Sequence, residues 1–336
     1  MKYVPVLSST GQRLMPCHAA RARELVRQGR AVRRFDRGLF YIKLLDRETG
    51  DTQPIVVGID PGAKKEGYSI KSKAHTFLNI QADAVTWVSE AEETSANARR
   101  RRRGRKTPYR QMRINRRQGQ FFLSPSTRAR WGWKLRLCRW LGRYYPIETF
   151  VVEDIAATTK LGKRRWNRSF SPLEVGKMWF YEQLGRIGQV KLYKGYETFE
   201  ARNLLGLKKS KKKLSDSFEA HCVDSWILAT LWIGGHLEPD NKAMLYIVPL
   251  CFHRRQLHML QPAKGGDRRR YGGTLSLGLK RGTWVKHPKH GVCYVGGTTG
   301  KSVSLHDMQT GVRMAKVKPE TLQFLTRSSW RIRKVA

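Results

Sequence analysis

The chain has 336 residues, with 66 Lys plus Arg against 26 Asp plus Glu, a formal net charge of +40 and a pI near 10.7. Apolar residues make up 40%, including 10 Trp, 12 Tyr and 12 Phe, which excludes a disordered basic tail and allows one large domain or two to three small ones. A folded protein this positive repels itself unless a polyanion is near, and nucleic acid is the expected polyanion, because each neutralised phosphate releases a counterion. A ribosomal-type structural protein and a binder of anionic membranes are the other classes that charge alone admits.

Residues 1–12 lack the long apolar core of a signal peptide, and the longest apolar run, 223–235, is too short to span a bilayer. Cys17, Cys138, Cys222, Cys251 and Cys293 are scattered, with no C-x-x-C pair. This argues against a zinc ribbon and a disulfide framework, so no zinc, no membrane partner and a reducing, intracellular (cytoplasmic) compartment are expected.

In chain order, residues 18–28 read as a short helix that Gly29 stops, and 39–45 as a strand. The run PIVVGID at 54–60 is a buried strand ending in an acid. Residues 66–70 and 78–87 read as the next two strands, and the order suits a three-stranded antiparallel meander. From 94 to 147 there is no Asp or Glu, and Arg99, Arg100, Arg101, Arg102 and Arg103 form an unbroken run, followed by Arg105, Lys106, Arg110, Arg113, Arg116 and Arg117. Ala96, Ala98 and the arginines favour a helix, which Pro108 should end or kink. Arginine also suits bidentate phosphate contacts, so this helix is expected to lie along a nucleic-acid backbone.

Trp133, Leu137, Trp140 and Leu141 recur at helical spacing and read as core. Residues 149–155 (TFVVEDI) form a second apolar strand ending in acids, KKSKKK at 208–213 reads as a solvated loop or a backbone contact, and 218–234 as an apolar helix. Residues 245–275 are basic and Gly-rich, while 282–325 show short strands between Gly-rich turns and suggest a small β-barrel. GGTTGKS at 296–302 misses the phosphate-binding loop pattern by one position and reads as a hairpin turn.

Asp60, Glu153 and Asp224 are the candidate catalytic acids. A single acid at a strand end is better explained by a turn cap. Three in the order strand, strand, helix would repel one another unless a cation sat between them. Hard oxygen donors point to Mg2+, with Mn2+ an alternative, and two such ions would clamp the attacking water and leaving oxygen of a phosphodiester. His221, one turn before Asp224, could orient metal or water, or could be a satisfied core histidine. Asp154 should point to the opposite face of its strand from Glu153.

GIDPGAKKEGYSI at 58–70, the arginine run, FVVEDI at 150–155 and HCVDSWILA at 221–229 resemble three split RuvC motifs and a bridge helix. RLMPCHAARARELVRQGRAV at 13–32 resembles a PLMP motif, with Arg13 where that motif has Pro, and the C-terminal modules are similar too. Together they resemble the IscB group of transposon-encoded, RNA-guided nucleases. That group carries an HNH nuclease between the second and third motifs, whereas 154–220 here holds no His and no Cys. The chain therefore resembles the HNH-less relatives, the IsrB proteins.

The resemblance implies an α/β, RNase H-like mixed sheet split by an arginine-rich bridge helix. It implies a PLMP-type domain at 1–53, RuvC parts at 54–93 and 121–240, and the bridge helix at 94–120. A guide-RNA-interacting segment would follow at 241–280 and a β-rich, motif-interacting module at 281–336. It further implies a RuvC site of Asp60, Glu153, His221 and Asp224, a long non-coding guide RNA, and double-stranded target DNA with a short adjacent motif. The protein would act as a monomer in a ribonucleoprotein, with Arg268, Arg269 and Arg270 on the guide. A single site implies nicking of the displaced, non-target strand. A catalytically silent RNA-binding scaffold and a guide-free RuvC-like resolvase are the competing functions.

Overall fold

The computed structural model describes residues 2–105, 123–156, 172–251, 260–261, 266–267, 275 and 277–333. The chain divides into two units, one of residues 1–85, 127–249 and 332–336, the other of 86–126 and 250–331.

The first unit begins with β1 (Tyr3–Leu7), β2 (Arg13–His18), α1 (Ala19–Arg27), β3 (Ala31–Asp36) and β4 (Leu39–Leu44). The strands form a sheet of order β2-β1-β4-β3, with β1 and β4 parallel at its centre. The α1 helix starts where His18 turns its side chain back onto the Ala20 amide, 3.3 Å away. It stops at Gly29, whose φ of +71° suits glycine. Ala22 and Leu25 pack with Val4, Val6, Leu14 and Ile42 into a small core.

The second part holds β5 (Ile55–Asp60), β6 (Lys65–Lys71) and β7 (Thr76–Asp83). After α2 (Val88–Arg103), which belongs to the other unit, come α3 (Pro125–Leu141), β8 (Ile147–Asp154), α4 (Lys177–Gly185) and β9 (Gln189–Lys194). They are followed by α5 (Gly195–Leu204), α6 (Cys222–Ile233) and β10 (Met244–Pro249). The sheet order is β10-β7-β6-β5-β8-β9, and the chain's last strand, from Ile332, adds a seventh beyond β10. The β5-β6-β7 meander is antiparallel as the sequence implies, while β8 and β9 run parallel to β5. This meander with two parallel strands added beside its first strand is the RNase H-like arrangement. The third strand stops at Asp83, short of the expected 87, because α2 starts at Val88 with Trp87 as its cap.

The α6 helix lies directly on β5. A Cβ on Gly58 would fall 1.8 Å from the Ser225 carbonyl oxygen, so only glycine lets helix and strand backbones approach this closely. We expect Gly58→Ala to cost about 3 kcal/mol or more, since neither backbone can yield without shifting α6. A Cβ on Gly132, within α3, meets nothing within 4 Å. Gly132→Ala should instead stabilise by roughly 0.5–1 kcal/mol through helix propensity. Denaturant midpoints of both variants check the pair; equal midpoints would contradict the close α6–β5 contact.

The α3 stripe is buried as expected: Trp131, Trp133, Leu137, Trp140 and Leu141 are all inaccessible. Trp140 and Tyr144 both donate to the Asp36 carboxylate, at 3.1 and 2.8 Å, which ties β3 of the small sheet to the C-terminal end of α3.

In the second unit, α2 begins six residues earlier than the arginine-rich segment the sequence marks, at Val88 rather than 94. Glu90, Glu92 and Glu93 near its start and Arg100 to Arg103 at its end suit the helix dipole, and Gly104 caps it. A two-residue ladder, β11 (Leu260–Gln261) with β12 (Gly266–Asp267), follows. Then β13 (Thr283–His287), β14 (Gly291–Thr299), β15 (Ser302–Asp307), β16 (Arg313–Val317) and β17 (Gln323–Arg327) precede β18 (Trp330–Arg333). The middle five form an antiparallel ladder of order β16-β15-β14-β13-β17 over a core of Val285, Cys293, Val295, Val303 and Leu305. Among the described residues its end strands are not hydrogen-bonded to each other, so where the turns suggest a small β-barrel the structure shows a five-stranded ladder that is open at its edges. Residues 296–302 form the β14–β15 hairpin, with Gly300 at φ +56° in the turn.

Candidate active site

Three elements bring the candidate acids together. The β5 strand ends at Asp60, and Pro61-Gly62 turns the chain away. The parallel neighbour β8 pairs Val152 with Ile59, so Glu153 stands beside Asp60 at the same sheet end. On α6, Asp224 lies in the first turn, 2% exposed. The helix begins at Cys222 rather than at 218, because His221 leaves helical geometry (φ −137°) and turns its ring to Asp60.

His221 Nδ1 lies 2.8 Å from Asp60 Oδ2, and Nε2 lies 3.0 Å from the Lys213 carbonyl oxygen. Both ring nitrogens thus face acceptors, which favours the doubly protonated ring. Burial pulls the His221 pKa down, but the Asp60 carboxylate outweighs it and the net shift is upward. Burial would raise Asp60; His221, Lys209 and a hydrogen bond with Glu153 outweigh it and hold its pKa below the usual range. Glu153 goes the other way, pushed up to about 8 by burial and then by the nearby Asp60 and Asp224 charges. A proton held by Glu153 and donated to Asp60 accounts for both directions.

Asp224 is held differently. Arg202 Nη1 on α5 donates to Oδ1 at 2.6 Å, and Lys209 Nζ donates to Oδ2. Burial opposes the Lys209 charge, but the attraction of Asp60, Asp224 and Glu153 outweighs it and raises the pKa. The sequence reading assigned 208–213 to solvent or to a nucleic-acid backbone. Its residues diverge: Lys208, Lys211, Lys212 and Lys213 are exposed, while Lys209 turns inward. A run of identical residues carries no signal of which one does so. Arg202 was missed for the same reason, as one of many basic residues. The glycines gave a clearer signal: a Cβ on Gly67 would sit 2.4 Å from the His221 carbonyl oxygen, and one on Gly195 would sit 2.8 Å from Glu153 Oε1.

Among the described residues, no group of three or more His, Cys, Asp or Glu side chains is disposed to hold a metal ion. Asp224 is ion-paired to both Lys209 and Arg202. Asp60 and Glu153 do fit a divalent ion. They are adjacent hard-oxygen donors, and the Asp60 charge adds to burial in raising the Glu153 pKa, a repulsion that a cation between them would relieve.

Asp154 points away from this cluster, as strand alternation requires. It accepts from Lys177 at 2.8 Å, Lys194 at 2.6 Å and Tyr181 at 3.1 Å. Burial opposes its charge, but these donors hold its pKa down at about 2. Its folded pKa is depressed, so its stabilisation is present above the unfolded value near 4 and is lost as pH falls toward 2. Asp154→Asn should therefore cost about 1–2 kcal/mol at neutral pH and progressively less from pH 4 to pH 2, read from melting curves across that range.

Of the candidate nucleic-acid contacts, Arg99, Arg100, Arg101 and Arg105 are exposed on or just after α2, and Arg102 and Arg103 are half-buried. Arg110, Arg113, Arg116 and Arg117, and Arg268, Arg269 and Arg270, lie outside the described residues. The five cysteines are free thiols, and among the described residues no helix is long and apolar enough to cross a membrane.

These features define an RNase H-like α/β protein whose buried acids gather at one end of two adjacent parallel strands. Residues 4–168 match the model of a family described as RRXRR protein. The T. thermophilus RuvC in complex with Holliday junction substrate aligns at 15% identity, covering 53% of this chain and 90% of that one, with a TM-score of 0.28. A Thermus thermophilus RuvC structure aligns at 16% identity over 52% of this chain and 90% of that one, with a TM-score of 0.23. None of the curated proteins matches the sequence.

Proposed function

We propose that the chain is an RNA-guided DNA endonuclease of the RuvC-like class that nicks the non-target strand of an R-loop, acting inside a prokaryotic cytoplasm. The observation that carries the nuclease reading is the buried Asp60–Glu153 pair with Asp224 and His221 beside it, on an RNase H-like sheet. A bound Mg2+ or Mn2+ would polarise the phosphodiester and acidify the attacking water. Asp60 and Glu153 would hold it, with Asp224 the third donor. His221 keeps Asp60 ionised and oriented. Arg202 and Lys209 supply fixed positive charge at the same place.

The guided reading is supported by the order of motifs, by the match of residues 4–168 to RRXRR protein, and by the net charge of +40. Exposed arginines on α2 suit the phosphates of a guide–target duplex, read through its geometry while pairing reads sequence. Arg268, Arg269 and Arg270 would grip the guide, and the C-terminal β ladder would read the adjacent motif. The stretch 154–220, without His or Cys, cannot hold an HNH site, and this supports a single cut, a nick.

The test is cleavage of supercoiled plasmid carrying a matching target and a randomised flank, with protein purified alongside its co-expressed RNA. Guide-dependent open circles in Mg2+ are expected. Linear product would overturn the single-site reading, nicking without RNA would favour a resolvase, and RNA binding without cutting a scaffold.

A further inference from the structure

We propose that Lys209 is a built-in counter-ion of the acid cluster that nucleic acid displaces, so that divalent metal loads together with the substrate. The inference rests on the metal-nuclease reading of the site.

Lys209 Nζ bonds Asp224 Oδ2 and faces Asp60 and Glu153, the position a cation among these acids would take. Arg202 already satisfies the other Asp224 oxygen. A divalent ion seeking Asp224 therefore competes with a positive charge of the chain itself.

The segment that carries Lys209 is anchored at both sides: before it, the Leu207 amide donates to the Arg202 carbonyl at 3.0 Å. The Ser210 amide donates to the Glu219 carbonyl at 2.8 Å; Lys65 donates to the Leu214 carbonyl at 2.6 Å; Gln81 donates to the Ser215 carbonyl at 2.8 Å. Between these anchors Lys208, Lys211, Lys212 and Lys213 face solvent. Four outward ammonium groups flank one inward group on a short tether. A phosphate backbone recruited by the outward four offers Lys209 an alternative anion within side-chain reach. Lys209 can then leave Asp224 without a net loss of ion pairing. The same segment supplies the Lys213 carbonyl that holds His221, so its displacement is felt at both edges of the cluster.

Coupling between two ligands is reciprocal: if nucleic acid releases Lys209, it must tighten metal binding by the factor by which metal tightens nucleic-acid binding. The experiment is Mn2+ titration of the full-length protein, read by the paramagnetic signal of free Mn2+, with and without a short single-stranded DNA. Wild type should bind Mn2+ weakly alone and on the order of tenfold more tightly with DNA. Lys209→Met should bind tightly without DNA and show no further gain. Lys209→Arg, which keeps the charge, should behave as wild type and controls for loss of the side chain. Equal Mn2+ affinity of wild type and Lys209→Met, or coupling that survives in Lys209→Met, overturns the counter-ion role and leaves the metal site standing. Absence of Mn2+ binding in all variants, with and without DNA, overturns the metal-nuclease reading together with this one.

Discussion

Asp60→Asn should reduce the nicking rate by about 10^3-fold or more while leaving RNA and target binding within roughly threefold of wild type. The reasoning starts from charge. The pKa of Asp60 is held below the usual range, so it carries a negative charge that a divalent ion would meet. Asparagine keeps the shape and can still contact His221 Nδ1, now 2.8 Å from Asp60 Oδ2, but supplies no charge. Losing a charged donor to a catalytic metal costs several kcal/mol, and about 4 kcal/mol is a factor of 10^3 in rate. Folding should not suffer, because the substitution also removes the repulsion that helps push Glu153 up to about 8. Asp154→Asn is the matched control: it removes a carboxylate from the next strand residue, but on the other sheet face, and should nick at close to the wild-type rate. Open-circle formation timed on guide-loaded protein gives both rates. Comparable losses in the two variants would mean that the chemistry is not placed at Asp60.

What the sequence made legible follows the physics of each signal. The strands carrying Asp60 and Glu153 announce themselves as β-branched apolar runs, and both are buried throughout their middles. The alternation that sends Asp154 away from Glu153 is a property of any strand and needed no structure. The start of α2 was less legible, because its Glu-rich opening was read apart from the arginines that follow. The strands of the C-terminal module were legible, but turn signals count strands and do not say whether the first and last of them join. Least legible was the positive half of the site. Lys209 and Arg202 are chemically the same as dozens of surface residues, and only the fold shows that they point at Asp224. The acids were readable because they are rare in so basic a chain; the bases were hidden by abundance.

The same blindness covers the second large effect, inside α3. Lys134 lies within the aromatic stripe yet is fully buried, 2.9 Å from the equally buried Glu66 of β6. Tyr68 donates a further hydrogen bond to Glu66 Oε2 at 2.9 Å. Burial raises the Glu66 pKa, and Lys134 only partly offsets it. Removing one partner strands a charge in the core, so Glu66→Leu should destabilise the protein by about 3–5 kcal/mol. The double variant Glu66→Leu with Lys134→Met should recover most of that loss, since apolar side chains of similar volume replace a buried pair at little or no cost. Denaturant unfolding of the two single variants and the double variant gives the coupling energy directly. Losses below about 1 kcal/mol in Glu66→Leu would show that water reaches the pair and that it is not a core contact. A large coupling with recovered stability would place the pair as a specificity device: it sets how α3 registers on β6, the strand next to the one that presents Asp60.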